Sequence, residues 1–214
     1  VNVYQPDPIV LPGRMISNKD YHADTENVTK SGLDLIERSP LHFWAAKLDP
    51  KREKPEETEA LIIGRAIHTA TQEYAQFNQE FVVSPGFNRR TNDGKAEYAD
   101  FVAKHAGKDI LDQDQYNLVM KVREAILNHP LAKRLLMSGY VENTYYWTDP
   151  DTGVKCKCRP DFLNKLGIGV DIKSTEDASP DAFGRSATKY RYPVQGAFYT
   201  DGLEANGIYL DSFV

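Results

Sequence analysis

Cysteine is scarce in this chain: Cys156 and Cys158 are the two thiols among 214 residues. That count excludes a four-cysteine zinc or iron–sulfur centre. A bridge between positions two apart would be strained, so reduced thiols of a cytosolic protein are expected. No run approaches the roughly eighteen apolar residues of a membrane span, and mean hydropathy is −0.54. The opening VNVYQPDPIV has no basic segment leading into an apolar one, so no secretory leader is expected. Positive charge is not in surplus either: 26 Lys and Arg face 31 Asp and Glu, for a net −5. A nucleic-acid partner would have to be held by local basic clusters, not by a broad field. Self-similarity at periods of roughly 20 to 50 residues is absent, which excludes a repeat architecture.

What is present fits one globular domain over 1–214, with 41% hydrophobic and 27% charged residues. Residues 1–30, punctuated by Pro6, Pro8, Pro12 and Gly13, read as an extended lead-in. Ser31 is a candidate cap for a helix through Arg38, and Ser39-Pro40 opens a second through about Lys47. Ile63, Ala66, Ile67, Ala70, Tyr74 and Phe77 recur at helical steps and predict one long helix over 58–77. A short strand at 81–83, a loop carrying Arg89-Arg90, and helices near 95–105, 112–128 and 130–138 follow. The period then falls to two. Val141 to Trp147 predicts a strand, Asp149 to Gly153 a turn, and Val154, Cys156 and Cys158 the inner face of another strand, with Lys155, Lys157 and Arg159 outward. Strands around 161–163 and 168–172, a turn near Gly167, and a last helix over 193–205 complete an α/β or α+β chain: helices around a central mixed sheet whose meander is mainly antiparallel.

The chemistry concentrates late in the chain. In Asp171-Ile172-Lys173, the carboxylate and the ammonium project from one face of a strand. The connection from 161 to 171 is symmetric about Leu166, so a simple hairpin sets Asp161 directly opposite Asp171. Paired carboxylates repel, and a sheet that sets them together commonly does so to hold a divalent cation. A lysine beside them suits phosphodiester hydrolysis, where it orients the attacking water and offsets charge developing at phosphorus.

Pro160-Asp161 followed by Asp171-Ile172-Lys173 resembles the bipartite motif of the PD-(D/E)XK nucleases. Gly64-Arg-Ala-Ile-His68 and Gln195-Gly-Ala-Phe-Tyr199 resemble the G-x-x-x-H and Q-x-x-x-Y motifs of the RecB-type branch. Tyr21-His22-Ala23, the run Gly86 to Asn92, Cys156 to Asp161, and Tyr190 to Gln195 are similar to the C-terminal nuclease domain of the RecE (exonuclease VIII) family, from about residue 20 to the end. The resemblance implies a restriction-endonuclease-like core and a Mg²⁺-dependent exodeoxyribonuclease, with Mn²⁺ able to substitute. Such an enzyme degrades linear duplex DNA 5′→3′, leaves 3′ overhangs, assembles as a ring-shaped homotetramer, and hands its product to a RecT-type annealing protein. A cytoplasmic setting in a bacterium or prophage is implied too.

On the same ground His68, Asp161, Asp171 and the backbone carbonyl of Ile172 are the expected metal ligands, Lys173 the water-positioning group, and Gln195 and Tyr199 the lining of the site. Arg159 and Arg191, which adjoin motif residues, lead the DNA-binding candidates, with Arg89, Arg90, Arg185 and Lys189 behind them. RecE-like domains continue past the Q-x-x-x-Y helix into a further strand and helix, so the C-terminal end is expected to be truncated. An endonuclease, a single-strand nuclease, and an inactive fold kept for DNA binding or assembly share these motifs and remain as alternatives.

Overall fold

The computed structural model describes residues 13–53 and 57–214; the prolines at 6, 8 and 12 of the lead-in lie outside the described residues. Two compact units are present: Glu56–Arg134, and Val1–Pro55 together with Leu135–Val214.

The second of these begins with α1 (Asn18–Ala23) and α2 (Lys30–Arg38), capped by the hydroxyls of Ser17 and Thr29. Thr29, two residues before the Ser31 expected from sequence, is the cap of α2, because its oxygen accepts from the amide of Gly32. α3 (Pro40–Phe43) starts as the Ser39-Pro40 pair predicts and widens into a π-turn over Trp44–Leu48.

The inserted unit runs α4 (Glu59–Gln72), α5 (Tyr74–Glu80), β1 (Phe81–Val83), α6 (Asn92–Lys104), β2 (Asp109–Leu111), α7 (Gln113–Asn128) and α8 (Pro130–Leu135). The long helix expected over 58–77 is divided at Glu73, whose backbone leaves the helical region at φ −135°, ψ 65°. Hydrogen bonding survives the bend, since the Glu73 amide closes α4 on Thr69 and the Glu73 carbonyl opens α5 to Phe77. Phe77 thereby stacks on Phe81, with ring centroids 5.1 Å apart. β2, which the sequence reading leaves as a connection, pairs in parallel with β1. Ala66, Ile67 and Ala70 of α4, with Phe77, Phe81, Leu111 and Val119, make this unit's core. Each large member contributes about 1.5–3 kcal/mol by leaving water.

The remainder of the chain supplies β3 (Gly139–Val141), β4 (Tyr145–Thr148), β5 (Lys155–Cys158), β6 (Phe162–Asn164), β7 (Ile168–Val170), α9 (Pro180–Lys189), α10 (Tyr192–Glu204) and β8 (Ser212–Phe213). Four strands form a mixed sheet in the order β3-β6-β7-β8, antiparallel except for the parallel β7–β8 edge. β4 and β5 pair separately as an antiparallel hairpin. Tyr145, Cys158, Leu163, Leu203 and Ile208 form the core, joined by Tyr140, Trp147, Phe198 and Tyr199.

The single strand expected over 141–147 is two strands, because Glu142 adopts the left-handed region at φ 51°. The chain bends there and exchanges β6 for β5 as its partner. The opposing chain breaks at the same level, over 159–161 between β5 and β6. The two ladders share one register: Val141 faces Phe162 on one side of the bend, and Tyr145 faces Cys158 on the other.

Lys157 departs from its expected outward position. Its side chain is 1% exposed, and its ammonium donates to the carbonyls of Tyr21 and Asp24 and pairs with the Asp24 carboxylate at 3.2 Å. The segment around α1 covers that face of β5, which local alternation has no means of showing. Cys156 and Cys158 are buried free thiols. Among the described residues, no helix is long and apolar enough to cross a membrane.

Candidate active site

Asp161 and Asp171 flank the β6–β7 hairpin. Gly167, at φ 80°, makes the turn that an L side chain would strain, and the Asn164 carboxamide oxygen accepts from the amide of Leu166. Phe162 pairs with Val170 and Asn164 with Ile168. Carried one step outward, this register sets Asp161 opposite Asp171, the arrangement that the symmetry about Leu166 predicts. The amide of Ile172 donates to Asp161 Oδ2 at 2.6 Å, while the amide of Asp171 is tied to the carbonyl of Val214 beyond β8.

Burial is the largest influence on the Asp161 carboxyl and pushes its pKa up to about 8. The Asp171 charge adds to that rise, whereas the Ile172 amide, Lys173 and Arg159 oppose it. Asp161 therefore holds its proton far above the usual carboxylate range.

Asp171, Lys173 and Gln195 form a closed polar triangle. The Lys173 ammonium pairs with Asp171 Oδ2 and donates to Gln195 Oε1 at 3.0 Å. Gln195 Nε2 donates to Asp171 Oδ1 at 2.8 Å. Gln195 thus uses both ends of its amide to hold the Asp171 carboxylate and the Lys173 ammonium, and it reaches them from the first turn of α10. Lys173 also lies over the Tyr192 ring, 5.1 Å from its centroid. Tyr199, one turn beyond Gln195, packs with the core; burial first, then the fields of Tyr21, Asp171, Cys158 and Asp161, pushes its hydroxyl pKa well above the ordinary value.

The structure thus brings together Asp161, Asp171, Ile172, Lys173 and Gln195, with Tyr199 behind them. Ile172 takes part through its amide. His68 stands on α4 in the helical unit, beside the buried Ala66 and Ile67.

The basic candidates have varied surroundings. Arg159 is 12% exposed, ion-paired to Glu142 at 2.8 Å, bonded to Asn18 at 2.7 Å, and stacked over Tyr21 at 4.1 Å. Arg191 caps α10 at φ 55° and pairs with Glu37 and Asp34 of α2. Both leading candidates are therefore committed to contacts within the protein. Arg89 and Arg90 are exposed, the former 4.8 Å from the Tyr98 ring centroid. Arg185 and Lys189 are exposed on α9, with Lys189 lying over Tyr190.

Sequence reasoning passed over Glu142. Its amide donates to the carbonyl of Asp161 at 3.2 Å, and its carboxylate comes within 4.8 Å of the Asp161 carboxylate. A strand pattern read through 141–147 hides it, because nothing in that alternation marks a bend.

A family model for a PDDEXK-like domain of unknown function (DUF3799) matches residues 29–209. The chain belongs to this family. Pro160-Asp161 and Asp171-Ile172-Lys173 both lie within the matched residues. The crystal structure of a "Putative exonuclease" from Eubacterium rectale is similar over 94% of this chain and 72% of its own, with a TM-score of 0.59 and 18% identity. At that identity the likeness concerns the fold, a mixed α/β core. No curated protein matches the sequence. Family and fold thus place the chain in the PD-(D/E)XK nuclease superfamily.

Proposed function

We propose that this PDDEXK-like chain is a divalent-metal-dependent exodeoxyribonuclease that degrades linear duplex DNA 5′→3′ and leaves 3′ overhangs for strand annealing. The observation that carries the hydrolytic part is the Asp171–Lys173–Gln195 triangle set across the hairpin from Asp161. An inactive binding module predicts loss of one of these acid or lysine positions, and none is lost.

The donor set suits a hard divalent cation. Two carboxylates opposed across the base of the β6–β7 hairpin offer oxygen ligands, as Mg²⁺ and Mn²⁺ prefer. Asp161 and Asp171 would hold the ion, and the motif resemblance adds His68 and the Ile172 carbonyl. Bound there, the ion would polarise the scissile phosphate and stabilise the departing 3′ oxygen.

The remaining work falls to the chain. Lys173 donates to the attacking water and fixes its line of approach to phosphorus. Gln195 keeps the ammonium from collapsing wholly onto Asp171 by offering it a second acceptor. As the water oxygen bonds to phosphorus, its proton passes to solvent, the P–O3′ bond breaks, and the departing 3′ oxygen takes up a proton from solvent. The Lys173 charge offsets the negative charge that accumulates on the way. Strand polarity, the ring tetramer, the RecT-type partner and the cytoplasmic setting rest on the RecE resemblance. The exposed Arg89, Arg90, Arg185 and Lys189 are the cations better disposed to meet phosphate than Arg159 and Arg191, which are already paired.

Linear duplex DNA labelled separately at its 5′ and 3′ ends tests the reading, with covalently closed circles alongside. Early loss of the 5′ label with intact circles is expected. Cut circles would make the enzyme an endonuclease, early loss of the 3′ label would reverse the polarity, and preference for unpaired DNA would make it a single-strand nuclease.

A further inference from the structure

β3 and β4 meet β6 and β5 in one continuous register across the bend, with Val141 facing Phe162 and Tyr145 facing Cys158. The same register carried one residue past Val141 sets Glu142 opposite Asp161. On the other side of Asp161, the β6–β7 register sets Asp171. Three acids therefore lie abreast, each one residue beyond the end of an adjacent strand, with Asp161 in the middle. Like charges directly opposed across strands are destabilising, and here two such pairs share one residue. The bend is built to keep Glu142 there: its amide is bonded to the Asp161 carbonyl, and its carboxylate oxygen lies within 4.8 Å of that of Asp161.

The outer acids are treated alike. Asp171 is paired with Lys173, which the lysine's second acceptor, Gln195, restrains. Glu142 is paired with Arg159, which the Asn18 carboxamide and the Tyr21 ring restrain. Each outer acid thus has a cation that is itself anchored elsewhere, so either acid can turn to a new partner without leaving its cation unsupported.

We propose that Glu142 is a third carboxylate of the metal centre, with Arg159 the counter-ion that holds its place and is exchanged for the divalent cation. The inference rests on the metal-dependent reading of Asp161 and Asp171, and it adds a ligand that the PD-(D/E)XK signature does not contain. It also gives Arg159 a function other than gripping DNA: it competes with the ion for Glu142.

Mn²⁺ binding, followed from the electron paramagnetic resonance signal of the free ion, tests this without relying on catalysis. Wild type, Glu142→Gln, Arg159→Gln and Asp171→Asn are titrated with Mn²⁺ alone, and thermal unfolding in chelator confirms that each is folded. Glu142→Gln should bind Mn²⁺ at least ten-fold more weakly, on the scale of losing an oxygen ligand or its support. Arg159→Gln should bind as tightly as wild type or several-fold more tightly, because a competitor has gone.

Equal binding by Glu142→Gln and wild type, with loss in Asp171→Asn, would overturn the role of Glu142 and leave the two-acid reading standing. Parallel weakening in Glu142→Gln and Arg159→Gln would also overturn it, by showing a structural ion pair. Absence of saturable binding by wild type would remove the underlying metal site as well. If Glu142→Gln does not fold, Glu142→Asp keeps the charge on a shorter arm; weaker Mn²⁺ binding then supports the proposal, and unchanged binding contradicts it.

Discussion

Asp161 is held between an acid it opposes, an amide that donates to it, and surroundings that bury most of it. Because its pKa in the folded protein lies above its unfolded value, the folded state keeps a proton that the unfolded state gives up. Its contribution to stability is complete below the ordinary carboxylate range and is lost as pH rises through about 8. Asparagine imitates the protonated acid at every pH. In chelator, Asp161→Asn should therefore gain in melting temperature over wild type as pH is raised from about 5 to 8. A difference between the two proteins that stays flat across that range would show that Asp161 is an ordinary ionised carboxylate.

Among the elements, α1 depends on a residue far along the chain. The Lys157 ammonium holds the carbonyls of Tyr21 and Asp24, and both Lys157 and Arg159 lie over the Tyr21 ring. Lys157→Ala would leave those carbonyls and Asp24 without their cation, at a cost of about 3–5 kcal/mol if the segment stayed in place. Release of the segment is the cheaper response. Hydrogen exchange should then accelerate at the amides of Tyr21 and Asp24, which bond to Ser17 and Asp20, while the amides of β6 and β7 keep their protection. Uniform acceleration throughout the sheet would instead make Lys157 a determinant of the whole unit.

The same element shows how far the sequence can be read. The β6–β7 hairpin was legible because its turn, alternation and symmetric spacing are all local, and with them the opposition of Asp161 and Asp171. The N-cap at Ser39-Pro40 and the apolar stripe of α4 were legible for the same reason. Lys157 was not, since the segment that buries it lies more than a hundred residues earlier. Neither was the bend at Glu142, where a non-glycine residue enters the left-handed region to change strand partners. β2 and β8 are three and two residues long and carry too little pattern to announce themselves. Sequence reasoning passed over α9, although Ser179-Pro180 opens it with the same pair that opens α3.

At the scale of the whole molecule, a net charge of −5 and three acids abreast make the metal-free protein electrostatically tense at one place. A divalent cation that binds the folded chain and not the unfolded one stabilises it by mass action, by about 2.7 kcal/mol at a hundred times its Kd. For a chain of this length that corresponds to a melting temperature higher by on the order of 5 °C. Saturating Mg²⁺ or Mn²⁺ should produce this rise, excess chelator should abolish it, and Asp171→Asn should show little of it. A rise of equal size in Asp171→Asn would assign the stabilising ion to another part of the protein.

The central claim is that Lys173 and the acids around it hydrolyse DNA with the help of a metal. Its most direct test is digestion of end-labelled linear duplex DNA by wild type and by Lys173→Ala, each with Mg²⁺ and with chelator, after DNA binding by both proteins has been measured. The account predicts Mg²⁺-dependent degradation by wild type, none in chelator, and a loss of at least a hundred-fold in Lys173→Ala with DNA binding retained. Undiminished digestion by Lys173→Ala, or no digestion by folded wild type with Mg²⁺ or Mn²⁺, would contradict it.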